Sequence, residues 1–153
     1  MTRPSWDDYF MHLAEESSLR SKDPSTKVGA CLVKDKRVLS LGYNGAPRSF
    51  PDELVPRTSY ERDNILNQKN TFMCHAELNA ILNYRGSLSE LDGATLYVTI
   101  YPCHECAKAL AQIGIKEIIY KEIYHRTNIY SASKYILEKC GIKVRQIGEQ
   151  NDN

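Results

Sequence analysis

Two short segments of the chain contain residue types that can hold a metal ion and move protons. Residues 74–77 read Cys-His-Ala-Glu, and residues 102–106 read Pro-Cys-His-Glu-Cys. Cys103 and Cys106 are three positions apart, so in a helix their sulfurs lie on one side and can bind one ion. Two thiolates and an imidazole are ligands that Zn²⁺ prefers in proteins. We therefore predict a zinc site formed by His75, Cys103 and Cys106.

The predicted helices decide whether these residues can meet at one ion. Pro102 is tolerated in the first turn of a helix, where its missing N–H has no intrahelical partner, so we expect both cysteines at a helix N-terminus. The helix macrodipole lowers the pKa of a thiol there. His75 and Glu77 are two positions apart and would diverge in mid-helix, so we expect them at the beginning of a second helix.

The number of ligands distinguishes a catalytic from a structural zinc site. A structural zinc takes four protein ligands, whereas a catalytic zinc takes three and leaves a position for water. Three good ligands are present here, which favours a catalytic site with Glu77 as its proton carrier. The alternative uses Cys74 or His104 as a fourth ligand, although side chains next to a ligand diverge from it. Glu105 is a weaker proton carrier, because its charge fits the first turn of a helix or solvent.

The same segments resemble a known enzyme superfamily. A His-x-Glu segment followed by Pro-Cys-x-x-Cys is similar to the signature of zinc-dependent nucleoside and nucleobase deaminases. The chain resembles the deoxycytidylate (dCMP) deaminases more narrowly, in segments that extend over most of its length: residues 20–23, 28–30, 42–45, 75–81, 97–99 and 114–116. The segments Gly-Tyr-Asn-Gly and Cys-His-Ala-Glu-Leu-Asn-Ala-Ile indicate this branch of the superfamily.

This resemblance implies a reaction and a set of substrate contacts. The reaction is the zinc-dependent hydrolytic deamination of dCMP to dUMP, a step of pyrimidine deoxynucleotide metabolism that supplies a precursor of dTTP. Glu77 would carry protons to N3 of the base and to the departing ammonia. The resemblance also implies that Asn44 binds the sugar, that the backbone amide of Ala76 contacts the pyrimidine carbonyl, and that Tyr124 packs near the nucleotide.

The 5′-phosphate of such a substrate needs cationic or backbone donors, and the chain has no Gly-rich phosphate loop. Four side chains rank first as phosphate ligands: Arg20, Lys22, His125 and Arg126. The last two follow a predicted strand, and ligands of open α/β sheets bind at the carboxyl ends of strands. The alternative for each of the four is a solvated surface charge.

Regulation and assembly are expected from the resemblance alone. The dCMP deaminases are commonly hexamers that dCTP activates and dTTP inhibits, and Mg²⁺ could accompany these nucleotide effectors. We predict that Gly42, Tyr43 and Gly45 form a turn whose amides hold an effector phosphate beside Asn44.

A long polar insert follows at residues 46–72. It is longer than ordinary connections, so we expect a lid, a regulatory loop or a partly helical segment. Lone charges in it, such as Arg57 and Arg62, are expected to be solvated. The insert contains no Cys or His, so it lacks the additional structural zinc site that some dCMP deaminases have there.

Length and composition fit a single deaminase domain at residues 1–148 with a flexible tail at 149–153. The chain has 153 residues, of which 42% are apolar, and its net charge is +1. This charge lacks the basic excess of a protein that binds long nucleic acids, so a small anionic substrate fits better. No stretch is apolar enough for a membrane span or a signal peptide. The number of cysteines, five, is odd, so they cannot all be paired in disulfide bonds within the chain. We predict a cytoplasmic protein.

Periodicity and turn residues predict the order of the elements. A helix follows the capping residue Ser5, and strands at 27–34 and 37–41 form a hairpin that should be central and largely apolar. The remaining elements alternate: a helix after His75, a strand at 95–100, a helix from Pro102, a strand at 115–120, a helix at 128–140 and a strand at 142–147. We predict an α/β fold with three α/β/α layers and a mixed five-stranded sheet, as in the cytidine-deaminase-like family.

Three other kinds of function are compatible with the same residues. A deaminase of tRNA or other polynucleotides shares the zinc motif, but the near-neutral charge disfavours it. A deaminase of free nucleosides or bases is a second alternative, and dCTP could also be a substrate. A non-catalytic, zinc-stabilised binding module is the third, but it would not need a carboxylate two residues from a metal ligand.

Overall fold

The computed structural model describes residues 2–124 and 128–149. Five strands and four α-helices lie in these two ranges. The helices are α1 (Trp6–Ser18), α2 (Ala76–Asn83), α3 (His104–Gln112) and α4 (Asn128–Lys139), and the strands are β1 (Gly29–Lys34), β2 (Arg37–Tyr43), β3 (Thr95–Ile100), β4 (Glu117–Glu122) and β5 (Lys143–Gln146). The strands form one sheet in the order β2-β1-β3-β4-β5. β1 is antiparallel to β2 and β3, whereas β3, β4 and β5 are parallel, so the predicted mixed sheet is confirmed.

Helices cover both faces of this sheet. Phe10 and Met11 of α1 pack on one face with Cys31 of β1 and with side chains of β3 and β4. Helices α2, α3 and α4 cover the other face and share a larger core with Leu32 and Leu96. Neighbouring residues of one strand, such as Cys31 and Leu32, thus enter different cores, as the alternation of a strand requires. The predicted three-layer arrangement is confirmed.

The N-terminal hairpin has the predicted turn, but its second strand is not central. Asp35 and Lys36 have φ values of 53° and 61°, as a two-residue type I′ turn requires. β2 is the edge strand, and it leaves Val38 and Leu41 exposed, whereas every residue of β1 except Lys34 is buried. The prediction of two central strands is therefore wrong for β2, because a short apolar pattern does not distinguish an edge strand from a central one.

The insert at residues 46–72 is mostly irregular. It contains three 3₁₀ turns, at Asp52–Leu54, Ile65–Asn67 and Lys69–Thr71, so the expectation of partial helix is met only by single turns. Its two ends are joined by an antiparallel bridge in which the Gly45 amide donates to the Cys74 carbonyl at 3.0 Å and the Cys74 amide donates back at 2.7 Å. The insert therefore begins and ends beside the segment that contains His75.

No helix in the described part of the chain is long and apolar enough to cross a membrane.

Candidate active site

His75, Cys103 and Cys106 converge in the structure. Nδ1 of His75 lies 3.3 Å from Sγ of Cys103 and 3.4 Å from Sγ of Cys106. In a tetrahedral zinc site with Zn–S of about 2.3 Å and Zn–N of about 2.0 Å, such atoms are about 3.5 Å apart. Among residues 2–124 and 128–149, this is the one cluster of three or more His, Cys, Asp or Glu side chains that could hold a metal ion. The three residues therefore fit zinc in both donor chemistry and spacing.

The cysteines occupy the N-terminus of α3. Cys103 is the N-cap residue of the helix, and its Sγ accepts a hydrogen bond from the amide of Cys106 at 3.4 Å. The sulfur thus has the role that a serine or threonine oxygen has in an ordinary N-cap. The predicted helix N-terminus is confirmed, although Pro102 precedes the N-cap and is not part of the first turn.

The histidine occupies the N-terminus of α2. His75 is the N-cap residue, and Glu77 lies in the first turn with only 4% of its surface exposed. A Cβ at Gly42 would lie 2.4 Å from the carbonyl oxygen of Ala76 and from the amide of Ala80, so only glycine lets α2 approach β2 this closely. Gly42 therefore positions α2, a role that the sequence pattern did not reveal.

The charges of the site depend on one another. A hydrogen bond from the Cys106 thiol lowers the pKa of Cys103, and hydrogen bonds from His75 and from the Cys106 amide lower it further. The pKa of Cys106 is raised by the neighbouring Cys103 sulfur and by burial. The hydrogen bond to Cys103 raises the pKa of His75 to about 9. Burial raises the pKa of Glu77, which also contacts the Cys106 thiol. Cys106 and Glu77 are buried whereas His75 and Cys103 are partly exposed, so the cluster combines interacting titratable groups with access to solvent.

The side chain of Asn44 is buried and bonded to the protein itself. Its Oδ1 accepts from the amide of Val28 at 2.8 Å. Its Nδ2 donates to the carbonyl of Thr26 at 2.9 Å and lies 3.4 Å from Oδ2 of Asp23. The predicted contact between Asn44 and a sugar is untested and stays a prediction. In this structure, Asn44 fixes the segment that connects α1 to β1.

The predicted phosphate-binding turn around Asn44 is wrong. Gly42 and Tyr43 belong to β2, and the backbone continues extended to the bridge at Gly45. The amide of Asn44 donates to the carbonyl of Val28 at 3.2 Å, and the amide of Gly45 is used in the bridge. These two amides are therefore not free to hold a phosphate. The assignment of Gly42, Tyr43 and Gly45 to an effector site is otherwise untested.

A cavity of about 850 Å³ lies between the insert and the end of β2. The predicted phosphate ligands Arg20 and Lys22 line it together with Asn44 and Gly45. None of the three metal ligands is among the described residues that line it, but its wall includes Gly45, which is bridged to the residue before His75. Three cationic side chains of the insert also line the cavity: Arg48, Arg57 and Lys69. Arg57 was expected to be solvated, and no role was predicted for the other two.

The other described residues that are predicted to contact the substrate lie near the ends of β2 and β4. Ala76 is the first residue of α2, where backbone amides have no intrahelical partner, so its amide suits the predicted contact with a carbonyl. Tyr124 is exposed and follows β4, whose Glu122 accepts a hydrogen bond from the amide of Tyr101 at 2.8 Å. His125 and Arg126 lie outside the described residues. All these contacts stay predictions.

The fold and the cluster together define a class of protein. A three-layer α/β/α sheet with His and two Cys at two helix N-termini is the architecture of the zinc-binding deaminases. The family model described as "Cytidine and deoxycytidylate deaminase zinc-binding region" matches residues 4–122. The chain therefore belongs to this family, and it is an enzyme of the deaminase class.

Individual proteins show which members of this family the chain is similar to. The chain is 41% identical to the deoxycytidylate deaminase of Mus musculus over 145 residues, which are 92% of this chain and 79% of the relative. It is 43% identical to the probable deoxycytidylate deaminase of Drosophila melanogaster over 148 residues, with coverages of 92% and 71%. The crystal structure of dCMP deaminase from the cyanophage S-TIM5 in complex with dCMP and dUMP is similar with a TM-score of 0.74 and 30% identity, and the similarity covers 96% and 100% of the two chains. The resemblance to dCMP deaminases is confirmed.

Proposed function

We propose that the chain catalyses the hydrolytic deamination of dCMP to dUMP and ammonia. One observation carries this proposal: the buried carboxyl group of Glu77 lies two residues from His75 and contacts Cys106, so a proton carrier adjoins the metal cluster. The choice of dCMP is supported by relatives that are named deoxycytidylate deaminases and by a neighbour solved with dCMP and dUMP.

His75, Cys103 and Cys106 would hold the zinc ion through one imidazole nitrogen and two sulfurs. Three protein ligands leave a fourth position for water. Zinc supplies Lewis acidity there when it is bound, and it lowers the pKa of that water. The N-cap position of Cys103 stabilises its thiolate through the Cys106 amide, so the protein contributes to keeping a ligand deprotonated.

Glu77 would move the protons of the reaction. It takes a proton from the water as the oxygen adds to C4 and passes this proton to N3 of the base. It then transfers the remaining hydroxyl proton to the amino nitrogen, and ammonia leaves as the C4–N bond breaks. A carboxyl group whose pKa is raised by burial can accept and donate protons nearer neutral pH than an exposed one, which suits both steps.

The nucleotide would extend from the cluster into the cavity. In this arrangement the Ala76 amide contacts the pyrimidine carbonyl, Asn44 and Tyr124 contact the sugar or base, and Arg20 and Lys22 bind the 5′-phosphate. Nζ of Lys22 is 2.7 Å from Oδ2 of Asp52, but both side chains are exposed, so this ion pair can open at little cost. His125 and Arg126 are further phosphate candidates.

Parallel assays of ammonia release test the substrate. The candidates are cytosine, deoxycytidine, dCMP, dCTP and a cytosine-containing oligonucleotide. We expect the highest kcat/KM with dCMP. A higher value with deoxycytidine, with dCTP or with the oligonucleotide would assign the chain to another substrate of the same chemistry. No ammonia release from any substrate by the zinc-loaded protein would leave only the non-catalytic alternative.

Regulation and assembly form the finer part of the proposal, and they rest on the family resemblance. We propose a homohexamer activated by dCTP and inhibited by dTTP, with Mg²⁺ accompanying the effectors, in a single-domain cytoplasmic enzyme. Because the amides of Asn44 and Gly45 are bonded, an effector near Tyr43 would have to use side chains. Saturation curves for dCMP with and without each effector test this, and three identical hyperbolic curves contradict it.

A further inference from the structure

Lys69 forms a buried ion pair between the insert and the body of the protein. Its Nζ lies 2.8 Å from Oδ1 of Asp23, and both side chains are only 5% exposed. Lys69 is the one buried lysine among the described residues, and a comparable ion pair such as Lys121 with Glu15 is open to solvent. Removing two charges from water is costly unless their surroundings satisfy them, so this pair needs a physical explanation.

Asp23 receives hydrogen bonds from several directions. Besides Lys69, its Oδ1 accepts from the amides of Ser25 at 2.8 Å and Thr26 at 3.0 Å. Burial alone would raise the pKa of Asp23, but the bonds from Lys69 and the two amides outweigh burial and lower it. Asp23 is therefore a carboxylate at neutral pH, and its charge is balanced by Lys69.

The ion pair connects to the candidate active site through Asn44. Oδ2 of Asp23 faces Nδ2 of Asn44 at 3.4 Å. The next residue, Gly45, is bridged to Cys74, which precedes His75. A continuous set of contacts thus runs from the insert to a metal ligand.

The same residues shape the cavity. Lys69, Asp23 and Asn44 all contribute to its wall. Without the ammonium group of Lys69, the buried carboxylate of Asp23 would lose its balancing charge, and its position beside Asn44 would be less fixed. The side-chain amide of Asn44 would then face an Asp23 carboxylate that is no longer held in one position.

We propose that Lys69 is a positioning residue for the substrate: it holds Asp23, and through Asp23 it fixes Asn44 and the cavity wall for the sugar and phosphate of a pyrimidine nucleotide. This inference rests on the proposed function and extends it to the insert. The insert then contributes to substrate binding through a buried cation, in addition to any covering of the cavity.

A double-mutant cycle tests the inference with zinc-loaded protein. The variants are Lys69→Met, Asn44→Ala and their combination, together with Lys69→Arg, which keeps the charge. Lys34→Met is the matched control, because Lys34 donates to the carbonyls of Glu90 at 3.1 Å and Asp92 at 2.7 Å at the opposite end of β1. The measurements are kcat and KM for dCMP, zinc content and the midpoint of thermal unfolding.

We expect Lys69→Met to lower kcat/KM about 10- to 100-fold, mainly through KM, with zinc content unchanged. Lys69→Arg should recover much of this loss, and Lys34→Met should leave KM unchanged. Because Lys69 acts through Asn44, the combined variant should lose little more than Asn44→Ala alone. If Lys69→Met does not fold, Asp23→Asn replaces it in the cycle, because it removes the ion pair from the other side while it keeps the size of the side chain.

Two outcomes overturn the inference. One is an unchanged KM in Lys69→Met when only its unfolding midpoint falls, which would make the ion pair purely structural. The other concerns the combined variant: its fold-loss of kcat/KM would equal the product of the fold-losses of the two single variants. That result would show that Lys69 and Asn44 act independently. If wild-type protein prefers another cytosine substrate, the proposed function fails, and the same cycle measured with that substrate still decides the role of Lys69.

Discussion

The metal cluster and the neighbouring cavity are built in different ways. The cluster consists of residues at two helix N-termini, and each helix packs on a buried sheet. The cavity is walled largely by an irregular insert, which is held by the Gly45 bridge, by the Lys69 ion pair and by the stacked rings of Phe50 and Phe72 at 4.9 Å. The metal cluster therefore depends on local spacing in the sequence, whereas the cavity, which is the proposed nucleotide site, depends on long-range contacts.

The largest expected effect lies in the cluster. Glu77→Gln keeps the size of the side chain but removes the proton carrier, so kcat should fall about 10²- to 10⁴-fold while zinc is retained. Steady-state kinetics and elemental analysis measure the two quantities. Glu105→Gln is the matched control, because Glu105 is an exposed carboxylate of the same motif that pairs with Lys108 at 2.9 Å. Normal turnover by Glu77→Gln would remove the basis of the proposed mechanism.

The zinc content of variants should distinguish the three metal ligands from the other cysteines. His75→Ala, Cys103→Ser and Cys106→Ser should each lose most of the zinc, because two ligands do not hold the ion as three do. Replacement of a cysteine outside the cluster by serine should leave zinc content unchanged; these cysteines are Cys31, Cys74 and Cys140. Elemental analysis of the six purified variants gives the result. Zinc loss from the Cys74 variant would instead indicate a closed site with four ligands.

The cavity should influence substrate choice more than chemistry. Arg20→Ala should reduce the preference for dCMP over deoxycytidine about tenfold, since one charged donor to the phosphate is lost. Its kcat for dCMP should change little. Arg37→Ala is the control, because Arg37 is exposed where β2 begins, at the other end of that strand. If Arg20→Ala keeps the wild-type ratio of kcat/KM values, the phosphate lies elsewhere.

The sequence predicted the cluster well because its information is local. The spacing of Cys103 and Cys106 and the position of His75 before an apolar helix need no knowledge of distant residues. The prediction failed where distant contacts decide the structure. The segment from Gly42 to Gly45 looks like a turn, but pairing with β1 and Cys74 keeps it extended.

Lys69 was missed for the same reason. It lies in a polar insert where a solvated charge is the ordinary expectation. Its partner Asp23 is 46 residues away in the sequence, so no local pattern connects the two. Only the packed structure shows that this cation is buried.

The smallest expected effect is the contribution of Asp23 to acid stability. The folded state holds the pKa of Asp23 below its ordinary value of 3.8, so the carboxylate stabilises the fold at pH values above that value. This contribution is lost as the pH falls through the lower, folded pKa, because protonation then breaks the bond to Lys69. Denaturant unfolding from pH 7 to pH 3 should therefore show a smaller acid-induced loss in Asp23→Asn than in wild type. The quantity to compare is the difference in unfolding free energy between the two proteins at each pH, because loss of zinc in acid affects both alike. Parallel pH profiles of the unfolding free energy would show that Asp23 is not held as a carboxylate by Lys69, and the cavity wall would then lack this ion pair.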